Sequence, residues 1–304
     1  MTQNSQRTPS ATKHKGWWWK TLIGGAALWL ITAYVTLVTG NTNLVPTVIL
    51  LGSFLVPFAV VLFAAERAVG RLDAVSLMMA FFVGGIFGVL GASILEVHLE
   101  PSWYVYFGVG FCEELVKAVV FIVVGWRIVP KNGYQGALLG ATVGAGFAAF
   151  ESAGYAFNAG LTRRGIDLIS MLETEAVRAV LTPVGHVLWT AILGAAIFAV
   201  AAKAQAKGAP QTGYAPGWPM VLAFLAVVVL HALWDSMSFI AALIAVALTG
   251  SARDALQYGQ LPTAQLEEIS QLSTTFYVAG LAVISVLGVL LLRVWARRPA
   301  AVSG

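Results

Sequence analysis

Residues Tyr104–Trp126 read YVYFGVGFCEELVKAVVFIVVGW, an apolar run with Glu113, Glu114 and Lys117 at its centre. A membrane-spanning helix needs about 20 apolar residues, so this run is long enough to cross a bilayer. An ionisable group inside such a helix costs about 3 kcal/mol on insertion scales and is kept mainly where it has a function. The run therefore predicts a membrane helix that carries part of a functional site.

Three other apolar runs contain ionisable residues of the same kind. Glu151 lies in the first of these runs, His186 in the second, and the pair His231 and Asp235 in the third. Because each of these groups is costly in lipid, we predict that they act together with the charges of the Tyr104–Trp126 run.

The composition is that of an integral membrane protein. Of the 304 residues, 59% are hydrophobic and 11% are charged, and the mean hydropathy is +0.82. A soluble domain carries about 25% charged residues, so a soluble enzyme is excluded. The net charge of +4 comes from Lys and Arg beside the spans, and we do not expect nucleic-acid binding. Cys112 is the only cysteine, which excludes an internal disulfide and a cysteine-based metal site.

The apolar runs predict an all-α fold, a polytopic membrane helix bundle with about eight transmembrane helices. The predicted spans are residues 18–39, 46–65, 74–95, 104–126, 134–157, 177–201, 219–248 and 274–294. No polar break between them is long enough for a soluble domain. We therefore predict a cytoplasmic N-terminal tail (1–17), a single transmembrane bundle (18–295) and a cytoplasmic C-terminal tail (296–304).

The distribution of Lys and Arg predicts the orientation of the bundle. If the N-terminus is cytoplasmic, most of these residues fall in inside segments, as the positive-inside rule requires. The outside segments then hold only Arg163, Arg164, Arg178 and Arg253. Both termini are thus predicted in the cytoplasm, in a multi-pass protein of the cell membrane. At a rise of about 1.5 Å per residue, the ionisable residues of the four runs lie in one layer between mid-bilayer and the outer leaflet.

A stripe of small residues supports a packed bundle. Gly136, Gly140, Gly144 and Ala148 recur every four residues, a pattern that allows close approach of a second helix. Glu151 lies one turn beyond this stripe. We therefore predict that its helix carries the carboxylate into the protein interior.

The charges of the cluster do not balance. If all groups are ionised, the four carboxylates of Glu113, Glu114, Glu151 and Asp235 face Lys117 alone, which leaves three negative charges in a low-dielectric site. Protonated carboxyls, charged histidines or a bound cation would each remove the excess. Two histidines with several carboxylates suit a divalent metal such as zinc. A protonatable glutamate would instead act as a general base on water without a metal.

Taken in order, the motifs of these runs resemble those of the PrsW family of bacterial membrane proteases. The motifs are Glu113-Glu114-x-x-Lys117, Phe147-x-x-x-Glu151, Gly185-His186-x-x-Trp189-Thr190 and His231-Ala-Leu-Trp-Asp235. They fall within residues 100–245, the motif-bearing core of the bundle. The family is more distantly similar to the CAAX prenyl proteases and to bacteriocin-processing relatives.

The resemblance implies an intramembrane endopeptidase of bacterial origin. Its substrate would be a membrane-anchored protein, such as an anti-sigma factor, cut near the extracytoplasmic face. By resemblance, Glu113 and Glu114 form the water-activating pair and Lys117 tunes them. The remaining residues would be partners, ligands or oxyanion stabilisers: Glu151, His186, His231 and Asp235. The family is described both as glutamic and as metal-dependent. If a metal is bound, the predicted ligands are Glu114, Glu151, His186 and His231.

A proton- or ion-coupled transporter is the alternative function, because buried carboxylates with lysine and histidine also form proton relays. Against this alternative, we find no inverted repeat of helix-breaking segments around the cluster. Segment 158–176 is apolar enough to lie at the surface of the outer leaflet. It is predicted either to gate access to the site or to be a plain connection.

Overall fold

The computed structural model describes residues 15–100, 102, 104–251 and 260–296. Its α-helices are α1 Trp17–Thr39, α2 Val45–Arg67, α3 Ala74–Glu96, α4 Val105–Gly125, α5 Gly133–Gly160, α6 Leu168–Leu181, α7 His186–Gln205, α8 Trp218–Thr249 and α9 Thr263–Trp295. Strands β1 (Leu161–Thr162) and β2 (Gly165–Ile166) form a small antiparallel hairpin. The predicted all-α helix bundle is confirmed. Residues 1–14 and 297–304, which make up most of the two predicted tails, lie outside the described residues.

The helices have the length and composition of membrane spans. Within the described residues, seven helical stretches are long and apolar enough to cross a membrane. Helix α4, with 21 residues, is an eighth helix that is long enough to span a membrane. Its apolar sequence is interrupted by Glu113, Glu114 and Lys117. Many large apolar side chains on the outer helices are exposed, among them Leu30 of α1 and Val286 of α9. This surface is the one that lipid would cover.

The predicted span 177–201 lies within one candidate membrane span, Leu168–Gln205, but it is not a single helix. The structure ends α6 at Leu181, continues through a 3-10 turn at Thr182–Val184 and begins α7 at His186. Pro183 and Gly185 lie in this break. Proline lacks the N–H that an α-helix needs, and Gly185 adopts a non-helical conformation (φ −98°, ψ −124°). His186 is therefore the first residue of a helix, not a residue in the middle of one.

Segment 158–176, for which both a gate and a plain connection were predicted, contains the hairpin and the first half of α6. Asp167 caps α6 by accepting a hydrogen bond from the backbone N–H of Ser170 at 3.1 Å. A second boundary also differs from prediction. Helix α9 begins at Thr263 instead of residue 274, so Glu267 and Glu268 lie in a helix and not in a loop.

Helix α5 lies at the centre of the bundle and packs against α2, α3, α6 and α7. Its small-residue stripe faces α7. A Cβ on Gly136, Gly140 or Gly144 would come within 2.2–2.3 Å of a backbone carbonyl oxygen of α7. The structure thus confirms the stripe as a close-packing face, because only glycine admits this approach of two backbones. Helix α4 packs against α3 and α8, and α8 packs against α9.

Lys131 caps the C-terminal end of α4. Its buried ammonium donates hydrogen bonds to the carbonyl oxygens of Gly125 (3.1 Å), Trp126 (3.0 Å) and Ile128 (2.8 Å). Two of these carbonyls also accept a backbone N–H, Gly125 from Ile128 and Trp126 from Gly213, so the lysine adds a second hydrogen bond at the helix end. Burial lowers the pKa of Lys131 to about 8.

Candidate functional site

The structure brings every predicted site residue into one cluster. Helix α4 supplies Glu113, Glu114 and Lys117. The other helices supply Glu151 (α5), His186 (α7), His231 and Asp235 (α8). The cluster forms one wall of a cavity of about 520 Å³, which Glu113, Glu151, His186, His231 and Asp235 line directly. Glu114 and Lys117 lie behind this wall and are sealed from solvent.

Lys117 lies beneath the cavity and joins both glutamates of its own helix. Its Nζ is 2.6 Å from Oε1 of Glu114 and 3.3 Å from Oε2 of Glu113. It also lies 3.0 Å from Nδ1 of His186 and 4.3 Å from the centre of the Phe147 ring. An ammonium group can only donate, so Nδ1 of His186 accepts this hydrogen bond and is unprotonated.

The second ring nitrogen of His186, Nε2, is hydrogen-bonded to a carboxylate. Nε2 of His186 lies 2.9 Å from Oε2 of Glu151, to which it donates. The unprotonated Nδ1 lies 3.7 Å from Oε2 of Glu113. The imidazole is therefore held by a carboxylate on one side and presents a lone pair toward Glu113 and Lys117 on the other.

His231, like His186, has one ring nitrogen against a carboxylate and the other toward Glu113, but the roles of Nδ1 and Nε2 are exchanged. Nδ1 of His231 lies 2.9 Å from Oε1 of Glu114, and Nε2 lies 3.7 Å from Oε2 of Glu113. Asp235, one turn along α8, places Oδ2 3.3 Å from the same Nε2. The indole of Trp189 stacks on the imidazole at 4.4 Å. Two histidines from two helices thus turn one nitrogen each toward the same oxygen of Glu113.

Sequence reasoning missed Arg178, which was assigned to an outside segment. Its Nη2 forms an ion pair with Oε2 of Glu151, and its Nε donates to Oγ of Ser152 at 2.8 Å. The signal was present, since an arginine at the start of an apolar run is costly unless it is paired. Glu96, Tyr106 and Tyr155 also line the cavity and were not predicted as site residues.

Arg178 corrects the charge count. Four carboxylates (Glu113, Glu114, Glu151 and Asp235) now face two cations, Lys117 and Arg178. With neutral histidines these six groups carry an excess of two negative charges, and Glu96, which also lines the cavity, adds a third when it is ionised. One divalent cation would balance the excess of two.

A group of potential metal ligands lies at the cavity wall. Glu113, His186 and His231 each offer one ligand atom, and these atoms lie within 4.8 Å of one another. This set differs from the four ligands predicted from the sequence. In the structure the carboxylates of Glu114 and Glu151 are each bonded to a histidine and to a cation. Glu113 is instead the carboxylate that faces both imidazoles, and sequence alone could not distinguish it from Glu114.

Comparison with known proteins gives the same assignment as the motifs. The family model of the PrsW family intramembrane metalloproteases matches residues 15–262, well over half of the chain. No curated protein and no solved structure gave a significant match. The match extends beyond the motif-bearing core to the first three helices, in which no motif was recognised. The chain belongs to the PrsW family of intramembrane metalloproteases.

Proposed function

We propose that this protease uses Glu113, His186 and His231 as the ligands of one divalent metal ion, with zinc as the best fit. One observation carries the proposal: each imidazole turns one nitrogen toward Oε2 of Glu113 at 3.7 Å. At Nδ1 of His186 the ion would replace the hydrogen bond from Lys117. Two nitrogens and one oxygen are a ligand set that catalytic zinc sites use, with the fourth position open to water or substrate. Here the open side is the cavity.

The surroundings of the three residues fit a divalent ion in two further respects. With Glu96 protonated, the excess of two negative charges equals the charge of such an ion. Each histidine also donates its other N–H to a carboxylate, His231 to Glu114 and His186 to Glu151. Carboxylates behind ligating histidines fix the tautomer and raise the basicity of the ligand. When bound, the ion supplies an activated water and a Lewis acid for the scissile carbonyl.

The chain's own residues then have distinct roles in peptide hydrolysis. Asp235 is the most exposed of the four carboxylates, with 27% of its side chain accessible. We assign it to accept a proton from water and to return it to the leaving amine. Glu114 and Glu151 hold the histidines, while Lys117 and Arg178 hold these two carboxylates. In the metal-free alternative, Glu113 itself would be the general base.

The position of the site supports a proposal for the substrate. We propose a membrane-anchored protein, such as an anti-sigma factor, that is cut near the extracytoplasmic face. In the orientation predicted from Lys and Arg, the cavity is lined from the outer half of the bundle, by Glu96 at the end of α3 and Tyr155 near the end of α5. A peptide that leaves the outer leaflet would reach this cavity without crossing the charged cluster.

The test combines metal analysis with cleavage of a co-expressed single-span substrate. Purified protein should contain one divalent ion per chain, and a chelator that reaches the membrane site should abolish cleavage. Glu113→Gln and His231→Ala should lose both metal and cleavage. Glu173→Gln, an exposed change on α6, should lose neither. Full activity without metal would leave Glu113 as a metal-free general base. Proton uptake by proteoliposomes that is lost in the same variants would instead support the transporter.

A further inference from the structure

A second cavity of about 580 Å³ opens on the lipid-facing side of the bundle, between α6 and α9. We call it the α6–α9 groove. Its walls are almost entirely apolar and include Val177 and Val180 of α6 and Val278 and Leu281 of α9. Helix α6 packs against α2 and α5, and α9 packs against α7 and α8. The groove is thus a gap between two helices, each of which packs against other helices of the bundle.

The groove adjoins the candidate active site. A small cavity of about 60 Å³ lies between them, lined by Arg178, Leu181 and His186 among others. Leu181 lines both the groove and this small cavity. Trp234 lines these two and the active-site cavity as well. Leu181 and Trp234 therefore lie between the groove and the small cavity that His186 lines.

The walls of the groove suit a helix better than a lipid acyl chain. Ala176 of α6 and Ala282 and Ser285 of α9 lie among the larger residues of the groove. Small residues on a lipid-facing surface allow a second helix to approach closely. The break between α6 and α7 at Gly185 lies beside the small cavity. A peptide that unwinds at the end of the groove would meet this irregular backbone.

We propose that the α6–α9 groove is the docking site for the transmembrane helix of the protein substrate, with Leu181 and Trp234 as the gate to the catalytic cavity. This inference rests on the proposed protease function. It adds a route by which a membrane-embedded substrate reaches the site residues on α4, α5, α7 and α8.

The experiment measures docking and does not depend on cleavage. A photoreactive amino acid replaces Val278, which lines the groove, or Val283, which does not. The two positions are matched controls, because both are valines of α9 with similar exposure (60% and 58%). Each protein is reconstituted with a synthetic peptide of about 20 Leu and Ala residues flanked by lysines, which spans one bilayer. We expect a peptide adduct from position 278 and only lipid adducts from position 283.

A second variant tests the groove by filling it. Val180→Trp should remove the peptide adduct from position 278, and Val283→Trp should leave it unchanged. Equal peptide adducts from both positions, lipid adducts alone, or adducts between two copies of the chain would each overturn the docking proposal. None of these outcomes bears on metal content or on substrate cleavage, so the proposed function is tested separately.

Discussion

Nδ1 of His231 lies 2.9 Å from Oε1 of Glu114, and both side chains are sealed from solvent. An ionised carboxylate only accepts hydrogen bonds, so this contact places a proton of His231 on Nδ1. Nε2 then keeps its lone pair when it does not donate to Asp235, whose Oδ2 lies 3.3 Å away. Nε2 is the nitrogen that faces Glu113 and the cavity. The pair Glu114–His231 therefore selects the tautomer that can bind a metal.

Glu114→Gln should lower metal affinity without removing a metal ligand. The amide keeps the shape of the side chain but loses the charge that fixes His231 and pairs with Lys117. Loss of a carboxylate behind a ligating histidine typically costs about 10–100-fold in metal affinity. The measurement is a metal titration of the purified protein beside Glu173→Gln. Cleavage should recover at high metal concentration, whereas an unchanged affinity would show that Glu114 does not support the site in this way.

Arg178→Met should separate positioning from metal binding. Arg178 pairs with Glu151 and donates to Ser152, but it contacts none of the three proposed ligands. Its loss leaves Glu151 held by His186 alone. The substitution also removes a positive charge, which would otherwise repel a bound cation. We expect cleavage to fall by about tenfold or more, while bound metal stays at one ion per chain.

Arg178→Lys provides the matched control, because it keeps the charge but not the planar fork that reaches Glu151 and Ser152 together. Its activity should lie between those of the wild type and Arg178→Met. Metal loss in parallel with activity in both variants would contradict a positioning role.

Gly144→Ala should disturb the site by displacing the backbone of α7, although it removes no side chain of the site. A Cβ at Gly144 would lie 2.3 Å from the carbonyl oxygen of His186, so α7 must move and His186 with it. Gly154 of the same helix has open space around its Cβ position. Gly154→Ala should therefore keep full cleavage, whereas Gly144→Ala should lose most of it and also unfold at a lower temperature. Equal activities of the two variants would show that α7 tolerates the displacement.

The cluster itself could be predicted from the sequence, but its internal geometry could not. The cost of burying Glu113, Glu151 and His186 in lipid was sufficient reason to expect them in one place. The spacing of Glu113 and Lys117 on one helix also predicted their contact, seen at 3.3 Å.

Three features of the site depend on tertiary structure. Glu113 and Glu114 differ by about 100° around the helix, and only the packing of α4 decides which faces the cavity. The partner of Glu151 depends on the path of α6, which the break at Pro183 and Gly185 sets. The nitrogen that each histidine presents depends on a side-chain rotamer, on which the sequence pattern has no bearing.

The orientation of the bundle remains a prediction that reporter fusions can test. Fusions after residues 100 and 260 should report the extracytoplasmic side, and fusions after residues 130 and 210 the cytoplasmic side, because Lys and Arg cluster near the latter. Activities of paired reporters, one active on each side of the membrane, provide the measurement. If fusions after 130 and 210 report the outside, the cavity faces the cytoplasm and the extracytoplasmic substrate proposed above is excluded.

Lys117→Met should be the most destabilising single change in the cluster. Lys117 is fully buried and contacts Glu114 at 2.6 Å and Glu113 at 3.3 Å. Removal of one partner from a buried ion pair leaves a charge without compensation and costs about 3–5 kcal/mol. The free energy of unfolding, measured by denaturant titration in detergent micelles, should fall by this amount.

The double variant Lys117→Met/Glu114→Gln tests the cause of that loss. If the penalty comes from the unpaired charge of Glu114, removal of this charge should restore part of the stability, and the two single effects should not add. Additive losses would instead mean that Lys117 stabilises the bundle through its contact with Phe147 and its packing. Added divalent metal should also stabilise Lys117→Met more than the wild type. The variant's cluster carries three excess negative charges where the wild type carries two, so a cation gains more on binding.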